Sequence, residues 1–471
     1  MFVSTAARRI VIRQNRTVRR EAVVSRIRKY SRSTSVAAWW NPFSRGDAQV
    51  ASSKSQGTEA DNPRRVQERK DVTLVLLALE FRRLSLEHEN ASIEREKLVD
   101  MAFDELEKKG LDEKTRMQLR RELQTSLHDQ MVHLFQTFGK VDENLPDLDE
   151  ESPLFDEILR VELERTIDEL ANPTPLTADK GTDPKIFLDL KRGALNLLIN
   201  YNTKAEQEAK ASSTSNDGES EGGEKGKEVS WVDADEFGYH ETIDDERNAL
   251  IRHYQTVNMC RSAKMRDEWG YSVIALQSSV PGAGRGVYLD GFAKAGSILA
   301  FQPGEVWAKE HLLNLPAEVE RQLEKNDNYQ MSLRSDDFMI DSRKSPYTVL
   351  TGNNSNLMSL GHVINHPTPS KPPNCRSVMV DFTKGMELGK LKRYIPNTYA
   401  RARNLSFVGT LLEGDIPDMH GMCLIATRDI CNEELFYDYR LMTPHKPQWY
   451  TVVQDDAYEI PEGDDEEEET K

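Results

Sequence analysis

The chain has 471 residues, of which 38% are hydrophobic and 30% charged, with a formal net charge of -17. That length accommodates two or three domains at roughly 100–200 residues each, and the charged fraction requires polar stretches beside them. No apolar run reaches the ~18–20 residues of a bilayer-spanning helix; the most apolar stretch, Val72 to Phe81, is too short.

The four cysteines, Cys260, Cys375, Cys423 and Cys431, form no CxxC pair. A structural zinc site needs four close-paired Cys or His ligands, so no zinc module is expected, and no metal site. Scattered single thiols suit a reducing compartment. Charge is unevenly spread. Residues 1–36 hold nine Arg and one Lys against the single acid Glu21, which leaves -26 for the rest. The last seventeen residues, from Asp455, carry ten acids and read as a solvated tail. An acidic body excludes general nucleic-acid binding, which depends on neutralising phosphates. It tolerates or attracts a basic peptide.

In chain order, residues 1–36 have the Arg-, Ser- and Thr-rich, acid-poor composition of an organellar targeting segment. Arg9, Arg13, Arg16 and Arg20 share one helical face. The reading is mitochondrial import, with plastid and nuclear addresses as alternatives. Residues 37–67 are polar and aperiodic, a linker. Residues 68–203 read as a helical region. Leu77, Phe81 and Leu84 form one stripe, and Leu119, Leu123, Leu127, Met131 and Phe135 an unbroken i+4 row. A third stripe, Leu159, Leu163, Ile167 and Leu170, follows a Ser152-Pro153 start signal. Asp183-Pro184 repeats that signal before Ile186, Phe187, Leu190, Leu195 and Leu198. Such stripes make either the core of their own bundle or an arm that binds a helical protein partner. Residues 204–230 are almost wholly small and polar, a disordered linker. Asp244 to Asp267 has room for one more helix.

From Gly270 the pattern changes to short strands and turns. Strands are expected at Tyr271–Leu276, Ser297–Phe301, Glu305–Trp307, Phe338–Asp341, Val378–Phe382, Met422–Ala426 and Glu434–Tyr439. A Gly-rich turn, Val280 to Tyr288, runs into another. Alone, that turn lacks the strand–helix context of a dinucleotide site and reads as an ordinary hairpin.

Three segments recur in a telling order: Gly284-Arg285-Gly286-Val287-Tyr288 with Gly296-Ser297-Ile298 and Pro303-Gly304-Glu305-Val306; Gly361-His362-Val363-Ile364-Asn365-His366; and Glu433-Glu434-Leu435-Phe436-Tyr437-Asp438-Tyr439 after Ala426-Thr427-Arg428-Asp429-Ile430. In that order they resemble a SET domain, here residues 267–450 with its C-terminal flank. Gly304-Glu305-Val306-Trp307, Met339-Ile340-Asp341, Leu391 to Asn397, Arg440-Leu441 and Pro447-Gln448-Trp449-Tyr450 are most similar to the SET domain-containing protein 9-like group. The likeness covers under half the chain.

The resemblance implies an α+β chain, an N-terminal all-α region followed by a β-rich SET (β-clip) domain with a knot-like crossing. It implies an S-adenosyl-L-methionine-dependent protein-lysine N-methyltransferase acting on a protein or peptide lysine, and the mitochondrial address makes the substrate non-histone. The alternative is a SET-fold binding or scaffold protein that does not catalyse. By the same resemblance Tyr439 is catalytic, and Gly284, Arg285, Gly286, Asn365, His366, Tyr439 and Trp449 bind the donor. Tyr437 lines the substrate channel. The sequence departs from the family where Pro367-Thr368-Pro369-Ser370-Lys371-Pro372-Pro373-Asn374-Cys375 replaces a shorter Ser-Cys-x-Pro-Asn run, which puts donor binding in question. No cysteine follows Cys431, so the zinc-binding module after many SET domains is absent.

The targeting reading has a direct test. Residues 1–36 fused to a fluorescent reporter should carry it into mitochondria, and replacing Arg9, Arg13, Arg16 and Arg20 by Glu should abolish import. Nuclear accumulation of the unmodified fusion would contradict it.

Overall fold

The computed structural model describes residues 63–88, 93–111, 114–145, 153–172, 184–213, 245–307, 331–333, 338–342, 356–399, 419–440 and 450. The expected targeting segment, the acidic tail and Trp449 lie outside these residues. Six helices are described: α1 (Pro63–Glu87), α2 (Arg95–Lys108), α3 (Arg116–Glu143), α4 (Pro153–Ala171), α5 (Pro184–Ser213) and α6 (Asp245–Trp269). Ten strands follow: β1 (Tyr271–Gln277), β2 (Arg285–Ala293), β3 (Ile298–Phe301), β4 (Gly304–Trp307), β5 (Met331–Leu333), β6 (Met339–Asp341), β7 (Cys375–Phe382), β8 (Asn397–Tyr399), β9 (Met419–Ala426) and β10 (Ile430–Cys431). The chain is α+β, a helical N-terminal region followed by several short sheets.

The strands form three sheets in the orders β1-β2-β10, β3-β9-β7 and β5-β6-β4-β8. All pairs are antiparallel except β4 with β8. Two boundaries differ from the sequence expectation. Helix α1 starts at Pro63, inside the expected linker, because proline is pre-set for a first helical position. Helix α5 runs through Lys204 to Ser213, because Ala, Glu, Gln and Lys are strong helix formers. Glu434–Tyr439, expected as a strand, forms only single-residue bridges, Tyr288 with Glu434 and Asn365 with Phe436.

Helix α3 shows why the helical stripes exist. Thr115 closes a capping box with Gln118 at its start. Its row of Leu119, Leu123, Leu127, Met131 and Phe135 is buried, and so are Leu134 and Phe138. These residues lie in one apolar cluster with Val72, Val75 and Leu76 of α1 and with Phe301, Val378, Phe382 and Ile425 of the sheets. Phe135 has ring centroids 5.8 Å from Phe301, 6.0 Å from Phe382 and 6.1 Å from Tyr394. The row is therefore neither a separate bundle core nor a partner-binding arm: the sheet β3-β9-β7 needs its second layer, and α3 supplies it.

Helices α4 and α5 bury Leu159, Phe187, Leu195 and Leu198 of their expected stripes, but the buried faces are not the stripes alone. Ile167 and Ile186, expected inside, are exposed, whereas Glu162, Thr166 and Lys191 are buried. Lys191 donates to Glu162 and, at 2.6 Å, to Asp290 of β2. Arg266 of α6 reaches the same Asp290 at 2.9 Å and also Glu169. Buried charges must be paired, so this network fixes which faces of α4 and α5 turn inward.

Phe135→Ala should lower stability by ~3–5 kcal/mol, the usual range for a buried aromatic. Helical circular dichroism and β-domain tryptophan fluorescence should be lost in one transition. Two well-separated transitions would contradict a shared core.

Candidate active site

The three sequence segments meet around Glu434–Tyr439. This stretch lacks a ladder, so its backbone groups must be satisfied otherwise. The amide of Leu435 donates to Val287 O (2.7 Å), and Leu289 donates to Glu433 O (2.9 Å). On the far side, Phe436 N donates to Asn374 Oδ1 (2.8 Å), and Asn374 Nδ2 donates to Glu434 O (2.8 Å). The amides of Asn374 (3.0 Å) and Cys375 (3.2 Å) both donate to Phe436 O. Tyr437 N donates to Asn365 O at 3.2 Å. The closing segment thus lies between Asn365 and Asn374, the two ends of the Pro-rich insertion. That insertion is a tight turn: Thr368 and Lys371 exchange backbone hydrogen bonds.

Asn365 and His366 stand at the end of a short 3-10 turn, Gly361–Val363. The amide nitrogen of the Asn365 side chain donates to Arg285 O (2.9 Å), Ser278 Oγ (3.0 Å) and Glu434 Oε1 (3.4 Å). Its donors are spent on the Gly-rich turn. His366 is buried, accepts from Tyr439 N at Nδ1 (3.3 Å) and lies 3.7 Å from Asp438 Oδ1. The ring of Tyr450 stacks on it with centroids 4.4 Å apart, and the Tyr450 hydroxyl donates to Asp438 at 3.2 Å.

The Tyr439 hydroxyl donates to Ile364 O at 2.8 Å, and its ring lies 5.0 Å from that of Tyr437. Burial pushes both phenols well above their ordinary range; for Tyr437 the neighbouring Tyr439 adds to this and Ser332 opposes it. Both hydroxyls therefore stay protonated at neutral pH. In the Gly-rich turn, Gly284 takes φ +68°, and a Cβ there would meet nothing within 4 Å. At Gly286 a Cβ would overlap the Glu434 carboxylate. Burial lowers the pKa of the Arg285 guanidinium between these glycines.

Of the residues read from sequence, Arg285, Gly286, Asn365, His366, Tyr437 and Tyr439 come together, with Gly284 at the open edge of the turn. Sequence reasoning missed Ser278, Ser279, Lys371, Asn374, Glu434, Asp438 and Tyr450. The one available signal was Glu434 itself, an acid set between residues that had to be buried. Among the described residues no group of three or more His, Cys, Asp or Glu could hold a metal ion, and no helix is long and apolar enough to cross a membrane.

No family model matches the chain, and no curated protein matches it. Among solved structures it is similar to CpSET8 from Cryptosporidium, with 13% identity and a TM-score of 0.23 over 43% of this chain and 81% of that one. A likeness that distant carries no argument about activity.

His362 sits beside this cluster. Its Nδ1 is buried without a hydrogen-bond partner. Burial, and then the charge of Arg285, push its pKa down to about 4. An unfolded histidine titrates near ~6.5. Between those values the unfolded chain takes up a proton that the folded chain refuses, so stability present above ~6.5 is lost as pH falls towards 4. Urea unfolding from pH 7.5 to 4.5 should show a shallower acid loss for His362→Gln than for wild type. Identical slopes would contradict this.

Proposed function

We propose that this chain is an S-adenosyl-L-methionine-dependent protein-lysine N-methyltransferase of SET type, acting on a non-histone protein. Its sheets would form a β-clip in which the Asn-His and closing segments cross. The observation that carries the reading is the gathering of Asn365–His366, Tyr437 and Tyr439 with the Gly-rich turn on one closing segment. The open backbone at Gly284 and the half-buried cation of Arg285 suit a donor that bears a carboxylate. When bound, that donor supplies an electrophilic methyl group on a sulfonium.

The chain's own residues do the rest. A target lysine has a reference pKa of ~10.4 and must arrive neutral; an enclosed aromatic channel favours the uncharged amine by desolvation. Tyr437 and Tyr439 wall that channel, and their faces attract a cationic head on approach. Tyr439, anchored through Ile364 O, holds the reacting atoms in line. Alignment of this kind supplies several kcal/mol without any proton transfer from the protein. The Tyr437 hydroxyl holds a channel water where a second methyl would go, so the product is monomethyl-lysine.

A second reading, a SET-type scaffold without catalysis, draws on one observation. The Asn365 amide hydrogens are spent on Arg285 O, Ser278 and Glu434, so that side chain offers a ligand only its oxygen.

Labelled methyl transfer onto an organellar lysate separates the two. The wild-type chain should transfer, Tyr439→Phe should be slower by well over ~10-fold while remaining folded, and ~1.4 kcal/mol accounts for each such factor. Tyr437→Phe should shift product from monomethyl- towards dimethyl-lysine by mass spectrometry. A folded wild-type chain that neither binds donor nor transfers methyl would leave the scaffold reading.

A further inference from the structure

Glu434 is fully buried, and donors from three residues converge on it. Its carboxylate accepts from Ser278 Oγ (2.7 Å), from Ser279 N (2.9 Å) and Ser279 Oγ, and at longer range from Asn365 Nδ2 (3.4 Å). Ser278 Oγ in turn accepts from Asn365 Nδ2 (3.0 Å) and Val280 N (3.0 Å). Ser279 accepts from Lys371 Nζ, at the carbonyl (3.0 Å) and at Oγ. The hydroxyl protons can satisfy all of these only if both point at Glu434. Lys371 reaches the carboxylate indirectly, through Ser279, and its ammonium also faces the Phe436 ring at 6.0 Å. Gly286 is required because the carboxylate fills the space of its side chain.

From this geometry we propose that Glu434 is a positioning residue: its charge orients Ser278, Ser279 and Asn365 and so fixes the 278–286 turn for the methyl donor. Lys371, on the Pro-rich insertion, supports it through Ser279. The insertion that looks like a departure in sequence is then part of the binding scaffold. Glu434 itself touches no ligand, since solvent does not reach it. The inference rests on the methyltransferase reading, and the test separates the two.

The test uses the full chain with S-adenosylmethionine, by calorimetry and by transfer kinetics. Glu434→Gln keeps the shape but removes the charge and presents N–H to donors. Its KM for the donor should rise at least ~10-fold, with a much smaller change in kcat. Lys371→Met, at a partly exposed position and easier to fold, should weaken donor binding by about threefold or more. A lowered melting temperature with an unchanged donor KM is what a merely structural carboxylate gives, and it would overturn the proposal. Wild-type affinity in Lys371→Met would overturn it also if Glu434→Gln fails to fold. A wild-type chain that binds no donor would overturn the methyltransferase reading and this inference together.

Discussion

The candidate site depends on one constraint: the segment from Glu434 to Phe436 is buried, with Tyr437 half-buried behind it, but belongs to no sheet. Each of its backbone groups would carry a desolvation penalty of about 1–3 kcal/mol if left alone. Strand β2 satisfies the edge at Leu435 and Glu433, and Asn374 satisfies the other at Phe436 and Glu434. An asparagine serves because its side chain offers both a donor and an acceptor, as a peptide unit does. Tyr437 and Tyr439 are thereby delivered beside Asn365 and His366, and the Pro-rich turn between Asn365 and Asn374 sets the spacing.

The helical region buttresses this arrangement from behind. Arg440, just past the closing segment, donates to Asp71 of α1 at 2.7 Å. Gln130 of α3 accepts from Ile298 N (2.8 Å) and donates to Gly296 O (3.1 Å), pinning the start of β3. Asp142 near the end of α3 accepts from Tyr394 at 2.7 Å and from Arg261 at 2.6 Å. The Lys191 network ties α4, α5 and α6 to β2, the strand that begins at the Gly-rich turn. Removing one partner of such a buried pair typically costs several kcal/mol, so β2 is tied firmly to the helical side at Asp290.

Much of this was legible in the sequence where a single periodicity decided the outcome. The i+4 row of α3 named its buried face correctly, and β1, β3, β4, β6, β7 and β9 were placed within a few residues. Periodicity could not tell what the row would pack against, because a stripe does not name its partner. On α4 and α5 it found most of the buried face but not its polar part, because Lys191 and Glu162 look like surface residues until Asp290 is brought beside them. The short strands β5 and β8 are three residues each and exist only through pairing with β6 and β4. In the site, the motif order singled out the tyrosines, Asn365 and His366, and the structure places these side by side. Lys371 and Asn374 were not legible, and Glu434 only as an acid among buried residues, since their roles come from contacts across 60 or more residues of chain.

Hydrogen exchange of the full chain with and without S-adenosylmethionine tests the central claim most directly. The account predicts added protection confined to the amides of residues 284–286, 361–366 and 434–439, the three segments that share the closing stretch. Unchanged exchange throughout, or protection appearing only on the helices, would contradict it.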